Sequence, residues 1–183
     1  MEPLEIIAQI IGFAGLAMNC LSYQAKTKKK LIVIQLFGAL FFVIHFGMLG
    51  AIMGCILNTV AVLRSLLFAN AEKTNANHPA WLAAFIAIYV GSYVLTFTVF
   101  QEPVTLPNLL IQILPPVGMT FSTLSFRTKN AATVRKLCLL CSPLWLIYNI
   151  VNFSISGILT ETISIISIVT GMIRLDRKGK SQA

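Results

Sequence analysis

One carboxylate lies deep inside an apolar run. Glu161 sits between Leu159-Thr160 and Thr162-Ile163, with no other acid nearby. In hydrocarbon such a group costs at least about 2.5 kcal/mol on insertion scales, so its placement needs a reason. It can bind a polar or cationic solute, or carry a proton by cycling between neutral and charged forms. The plain alternative is a residue snorkelling to the outer interface. Asn58 is a second buried polar candidate, in another apolar run. Its amide offers two donors and a carbonyl, which suits a hydroxyl-rich ligand; the alternative is glue between helices, worth about 0.6 kcal/mol. His45 and Tyr148 carry apolar rings with polar tips, able to stack on a solute and donate a hydrogen bond, or to sit in an interfacial belt. Phe42 and Trp145 precede them by three residues, on the same helical faces, as cavity walls or plain packing.

Pro115, Pro116 and Pro143 fall inside apolar runs. Each removes a backbone donor and crowds the preceding turn, so the expectation is a kinked or broken helix acting as a hinge. Gly12 and Gly15 allow close helix contact. Arg64 reads as a snorkelling anchor near the end of its span. No nucleophile stands beside a base, and no carboxylate pair, phosphate loop or metal motif is present in the sequence. Ser154, Ser156, Ser164 and Ser167 have no adjacent group to activate them. Cys138-x-x-Cys141 has redox spacing but, like Cys20 and Cys55, lies in apolar sequence and reads as packing. The expectation is a non-enzyme without a cofactor or metal.

The elements that must position these residues follow from composition. Of 183 residues, 57% are hydrophobic and 11% charged, with mean hydropathy +0.83. A soluble domain carries about 25% charged residues, and disorder needs high charge with low hydrophobicity, so an all-α integral membrane protein remains. The first apolar run, Leu4 to Tyr23, has no basic region before it and is expected to be a retained span, not a signal peptide. Leu31 to Leu63 is free of charge and, at 33 residues, would reach ~50 Å against a ~30 Å core. It should fold as a hairpin that turns at Gly47, Gly50 and Gly54 and ends near Phe68. Residues 70–79 and 101–108 are polar loops around a single span, Ala80 to Phe100. Leu109 to Phe126 is the fifth span, and Leu137 to Ile173 is a second hairpin turning between Asn152 and Gly157.

Seven spans result. With seven, all fourteen basic residues fall on one side, in the clusters Lys26 to Lys30, Arg64 with Lys73, Arg127 to Lys136, and Arg174 to Lys180. The positive-inside rule makes that side cytoplasmic, with the N-terminus outside. The net charge of +8 is then a topology signal with anionic-lipid contact, not a nucleic-acid site.

An offset of 103 residues aligns the chain with itself. Gln9 falls on Gln112, Gly15 on Gly118, Phe42 on Trp145, His45 on Tyr148, Gly54 on Gly157 and Asn58 on Glu161. Spans one to three thus repeat as spans five to seven, and the unmatched fourth span makes the copies parallel. The expected units are 4–69, a linker helix 80–100, and 108–175, within a single membrane domain 1–183. Repeats of this kind are a hallmark of transporters, with the site between the halves.

The 3+1+3 pattern resembles the SWEET, semiSWEET and PQ-loop superfamily. Trp145-Leu146-Ile147-Tyr148 is similar to its W-x-x-Y element, and Asn58 stands where sugar transporters place a binding asparagine. Ala8 to Gly15, Ile44-His45-Phe46 and Leu57-Asn58 resemble the YgjV-type bacterial inner-membrane proteins over nearly the whole chain. Departures are Tyr23-Gln24 and Phe126-Arg127 for the proline-glutamine pairs, hinge prolines in the second half only, and Glu161 for the second asparagine.

The expectation is a multi-pass protein of the bacterial inner membrane that moves a small polar, sugar-like solute by alternating access between the two bundles. Asn58, Glu161, His45, Tyr148, Trp145 and Phe42 would hold the solute, and Pro115, Pro116 and Pro143 would act as hinges. Proton coupling through Glu161 and a homo-oligomer are compatible with it. The rivals are a non-transporting sensor or scaffold on the same fold, and a vitamin or nucleoside carrier of the kind found among the related nicotinamide riboside carriers.

Overall fold

Proline and hydroxyl residues set several helix starts. Pro3, Pro79 and Pro107 lie in first turns, where a missing N–H costs nothing. Thr105 and Ser154 accept from the backbone N–H three residues on, and His78 accepts from Ala80. The computed structural model describes residues 3–22, 28–128 and 131–173. Among these the helices are α1 (Pro3–Ser22), α2 (Lys28–Met48), α3 (Ile52–Ala69), the single turn α4 (Ala71–Thr74), α5 (Pro79–Thr98), α6 (Leu106–Arg127), α7 (Ala131–Val151) and α8 (Ile155–Gly171). Lys26, Lys129, the Tyr23-Gln24 pair and the basic cluster from Arg174 onward lie outside the described residues.

Six helices, α1, α2, α3, α5, α6 and α7, are long and apolar enough to cross a membrane. The seventh expected span, α8, is equally apolar but has 17 residues. The second hairpin turns at Asn152 to Ser154, as expected, because α8 starts at Ile155. In the first hairpin only Gly50 is in the turn, with φ of +70°. Gly47 and Gly54 are helical, and Gly54 is there because a Cβ would come within 2.8 Å of the Phe46 ring. The fifth expected span begins three residues early, at Leu106, because Thr105 caps it. The polar loop 70–79 contains the extra turn α4.

The prolines lie within continuous helices, and one correction concerns Arg64. Pro115 and Pro116 do not break their helix: α6 runs unbroken from Leu106 to Arg127. Neighbouring helices and polar side chains make prolines tolerable in such spans, and both rings are buried against the rest of the bundle. Pro143 likewise leaves α7 continuous and is exposed on its outer face. Arg64 is no snorkelling anchor, since only 5% of its surface is exposed.

Packing follows chain order. Helix α2 packs on α1 and α3; α7 packs on α6 and α8. The two groups meet where α1 touches α8 and where α3 touches α6. Exchanging α1, α2 and α3 for α6, α7 and α8 maps this pattern onto itself. The α1–α2 crossing is tight because Gly15 and Gly38 face each other's carbonyls. Helix α5 stands outside the exchange, against α3 and α6. It buries one stripe, Phe85, Tyr89, Ser92 and Thr96, and leaves the aliphatic remainder, including Ile86, Val90 and Val94, exposed. That exposed apolar face suits contact with lipid chains. The core is an aromatic stack at the junction of the halves: Phe42 on Phe46, Phe46 near Trp145, and Trp145 edge-on to Tyr148.

Candidate functional site

A cavity of about 770 Å³ runs along the junction. Asn58, Glu161, Phe42 and Trp145 line it, as do Arg64, Ser142 and Asn149. It extends to the end where α2 and α7 begin, reaching Leu31, Thr128 and Arg135. At the other end it stops beneath a set of hydrogen bonds that join the halves.

That closure uses the residues at the starts of α3 and α8. The first N–H groups of a helix have no partner within it. In α8 the N-cap Ser154 accepts from Gly157 N–H at 3.1 Å. The offset of 103 puts Ala51 in the same place before α3, and alanine cannot cap. Tyr148, from the other half, serves instead: its hydroxyl accepts from Gly54 N–H at 2.8 Å. His45, the repeat mate of Tyr148, reaches the opposite way. One ring nitrogen lies 2.7 Å from Ser154 Oγ and the other 2.7 Å from the Ala8 carbonyl. Gln9 adds two further links, donating to the Phe153 carbonyl at 2.9 Å and accepting from Ser156 N–H at 3.3 Å. Each half thus secures the helix start of the other.

His45 and Tyr148 are fully buried and lie outside the cavity lining, with their polar atoms engaged in this latch. Of the expected solute-binding set, the structure brings Asn58, Glu161, Phe42 and Trp145 together on the cavity wall and places the other two above it. Gly12 packs directly beneath the latch. A Cβ there would meet Ser156 and come within 2.7 Å of His45 Nδ1. Gly12→Ala is therefore expected to destabilise the protein by about 1–3 kcal/mol through overpacking. Thermal unfolding of the purified protein checks this; an unchanged midpoint would show that the latch yields freely.

Two cavity residues, Asn149 and Ser142, escaped notice in the sequence, and a third, Arg64, was read there as an anchor at the interface. Arg64 Nη1 donates to Thr123 Oγ1 at 3.1 Å and to the Met119 carbonyl at 3.4 Å, and its guanidinium lies 4.6 Å from the Phe126 ring centre. Its buried Nε has no hydrogen-bond partner among the described residues. Asn149 is 2% exposed, and its Oδ1 also has none among them. Ser142 is hydrogen-bonded to the Glu161 carboxyl. A signal for Arg64 existed: it is a charged residue with apolar neighbours on the same helix as Asn58. Asn149 directly follows the W-x-x-Y element and was passed over as part of an apolar run. Asn58 itself donates to the Gly54 carbonyl one turn back, which leaves its side-chain oxygen toward the cavity wall unassigned to any protein donor.

The arrangement can hold a small polar solute in a site with the cations Arg64 and Arg135, the carboxyl group of Glu161 and several hydroxyls and amides, walled by aromatic rings. Neither the curated proteins nor the solved structures contain a significant match to this chain. A family model described as bacterial inner membrane protein (Imp-YgjV) matches residues 6–179. With that match spanning nearly its whole length, and with its membrane-length apolar helices, the chain belongs to the Imp-YgjV family of multi-pass bacterial inner membrane proteins.

Proposed function

We propose that this protein carries a small polar solute across the inner membrane by alternating access. One observation carries the reading: a cavity with polar side chains set in a largely apolar wall, between two helical halves, is latched at one end and extends to the other. In this reading α8 is the seventh crossing. Its 17 residues span about 26 Å, short of a ~30 Å core but sufficient with local thinning. The two three-helix units, α1–α3 and α6–α8, act as parallel repeats. The cavity's far end adjoins the exposed Lys29 and Lys30 at the start of α2, so positive-inside orientation makes it cytoplasmic. The state described is then inward-facing, with the latch as the closed outer gate. Rocking the halves apart at the latch and together at the basic end would expose Asn58 and Glu161 to the outside.

Uptake into proteoliposomes tests this. Labelled sugars, nucleosides and amino acids would be offered with and without an inward proton gradient. One class should enter, and the Asn58→Ala, Glu161→Ala double variant should lose at least tenfold of that flux. Flux unchanged in the double variant would remove the assigned site. Folded protein that moves nothing in the panel would overturn the transport reading.

A further inference from the structure

The cavity wall carries two groups of opposite charge, Arg64 and Glu161, and two buried polar atoms, Arg64 Nε and Asn149 Oδ1, that have no partner among the described residues. Arg64 extends from α3 to Met119 and Thr123 on α6. Gly118, next to Met119, lies against Cys141 and Trp145 of α7. Ser142, next to Cys141, is hydrogen-bonded to Glu161 of α8. The guanidinium and the carboxyl group therefore stand on different walls of one cavity, linked through α6 and α7.

Arg64 meets a carbonyl, a thioether, a hydroxyl and a ring, all neutral. A buried cation without a counter-anion is costly, and burial is tolerated where a partner arrives. Its free Nε is a donor in want of an acceptor. The other pole has the reverse polarity. Asn149 Oδ1 is an acceptor in want of a donor, and Asn149 packs against Gly157, one turn along α8 from Glu161. Carboxylate and amide oxygen together suit an ammonium group, while guanidinium suits a carboxylate with charge-assisted bonds. A neutral sugar would satisfy the orphan atoms and leave both charges unmatched.

We propose that the cavity's ligand is a small zwitterion of amino-acid size, its carboxylate on Arg64 and its ammonium on Glu161 and Asn149. The inference rests on reading this cavity as the solute site.

Four-carbon probes separate the charge requirements: α-aminobutyrate and γ-aminobutyrate as zwitterions, butyrate, butylamine and the neutral 1,4-butanediol. Trp145 lines the cavity and the only other tryptophan is Trp81, so fluorescence of the Trp81→Phe protein reports occupancy. At least one zwitterion should bind ten times more tightly than butyrate, butylamine or the diol. Glu161→Gln should erase its advantage over butyrate, and Arg64→Gln its advantage over butylamine. The probe ranking needs no variant, and Arg64→Lys, which keeps the charge, serves if Arg64→Gln does not fold. Equal binding of the diol, no binding of either zwitterion, or a zwitterion-to-butyrate ratio unchanged in Glu161→Gln would overturn the proposal. Zwitterion binding without flux into vesicles would sink the transport reading and leave this one standing. Flux of a neutral sugar alone would do the opposite.

Discussion

His45→Ala is expected to destabilise the protein by about 3–5 kcal/mol, the scale of removing a buried aromatic side chain. The ring is fully buried, and both nitrogens lie 2.7 Å from a partner, the Ala8 carbonyl and Ser154 Oγ. It also meets Phe42 and Phe46 edge-on. Alanine would leave a cavity and free the N-cap of α8 from the first half. Tyr148→Phe isolates the matching interaction on the other side. It keeps the ring and removes the hydroxyl, leaving Gly54 N–H at the start of α3 without its acceptor. An orphaned buried donor of this kind costs about 1–3 kcal/mol. Because both residues hold the same two halves together, their effects should couple. The double variant should fall short of the sum of the singles by at least about 0.5 kcal/mol. Thermal or denaturant unfolding in one detergent gives all three values. Strict additivity, or a His45→Ala protein as stable as the parent, would show that the latch does not bind the halves.

The sequence made these two residues equivalent without making them functional partners. The offset of 103 paired His45 with Tyr148 and Gly54 with Gly157, but a repeat register states correspondence, not contact. The actual contacts join residues 94 and 109 positions apart, Tyr148 to Gly54 and His45 to Ser154. They arise only when two helix starts are brought under the other half's second helix. The break in the repeat was legible in principle. Ala51 stands where Ser154 caps, so α3 needs an acceptor from elsewhere. Spans were readable because charge-free runs report lipid directly, which is why the hairpin over 31–68 and a second turn within 152–157 were expected. Their ends were less so. Thr105 extended α6 by capping ahead of Pro107, a local bond that hydropathy does not register. The cavity's polarity was half visible. Asn58 and Glu161 stand out as polar residues in apolar surroundings, and both line it. Arg64 looked like the last charged residue of a span, since only the packing of α6 against α3 decides whether such a side chain reaches water or protein.

That packing sets up an opposition between stability and function. Arg64→Met should leave the fold as stable as the parent or raise its stability by about 1–4 kcal/mol. Methionine retains the apolar length that packs against Phe126 and Met119, and it removes a buried cation that meets neutral groups there. Thr123 keeps two bonds without the guanidinium, to Tyr89 Oη at 2.8 Å and to the Met119 carbonyl at 2.8 Å, so little is orphaned by the change. The same substitution should cut solute flux at least tenfold, because the cavity loses the group that neutralises a ligand carboxylate. A residue kept only for packing would behave in the reverse way, losing stability while flux persisted. Unfolding and proteoliposome uptake on the same preparation separate the two cases. Lower stability with undiminished flux would return Arg64 to the role of a structural residue. Retained stability with lost flux is the expected result, since a cation held at a cost to the fold has its compensating partner in the solute.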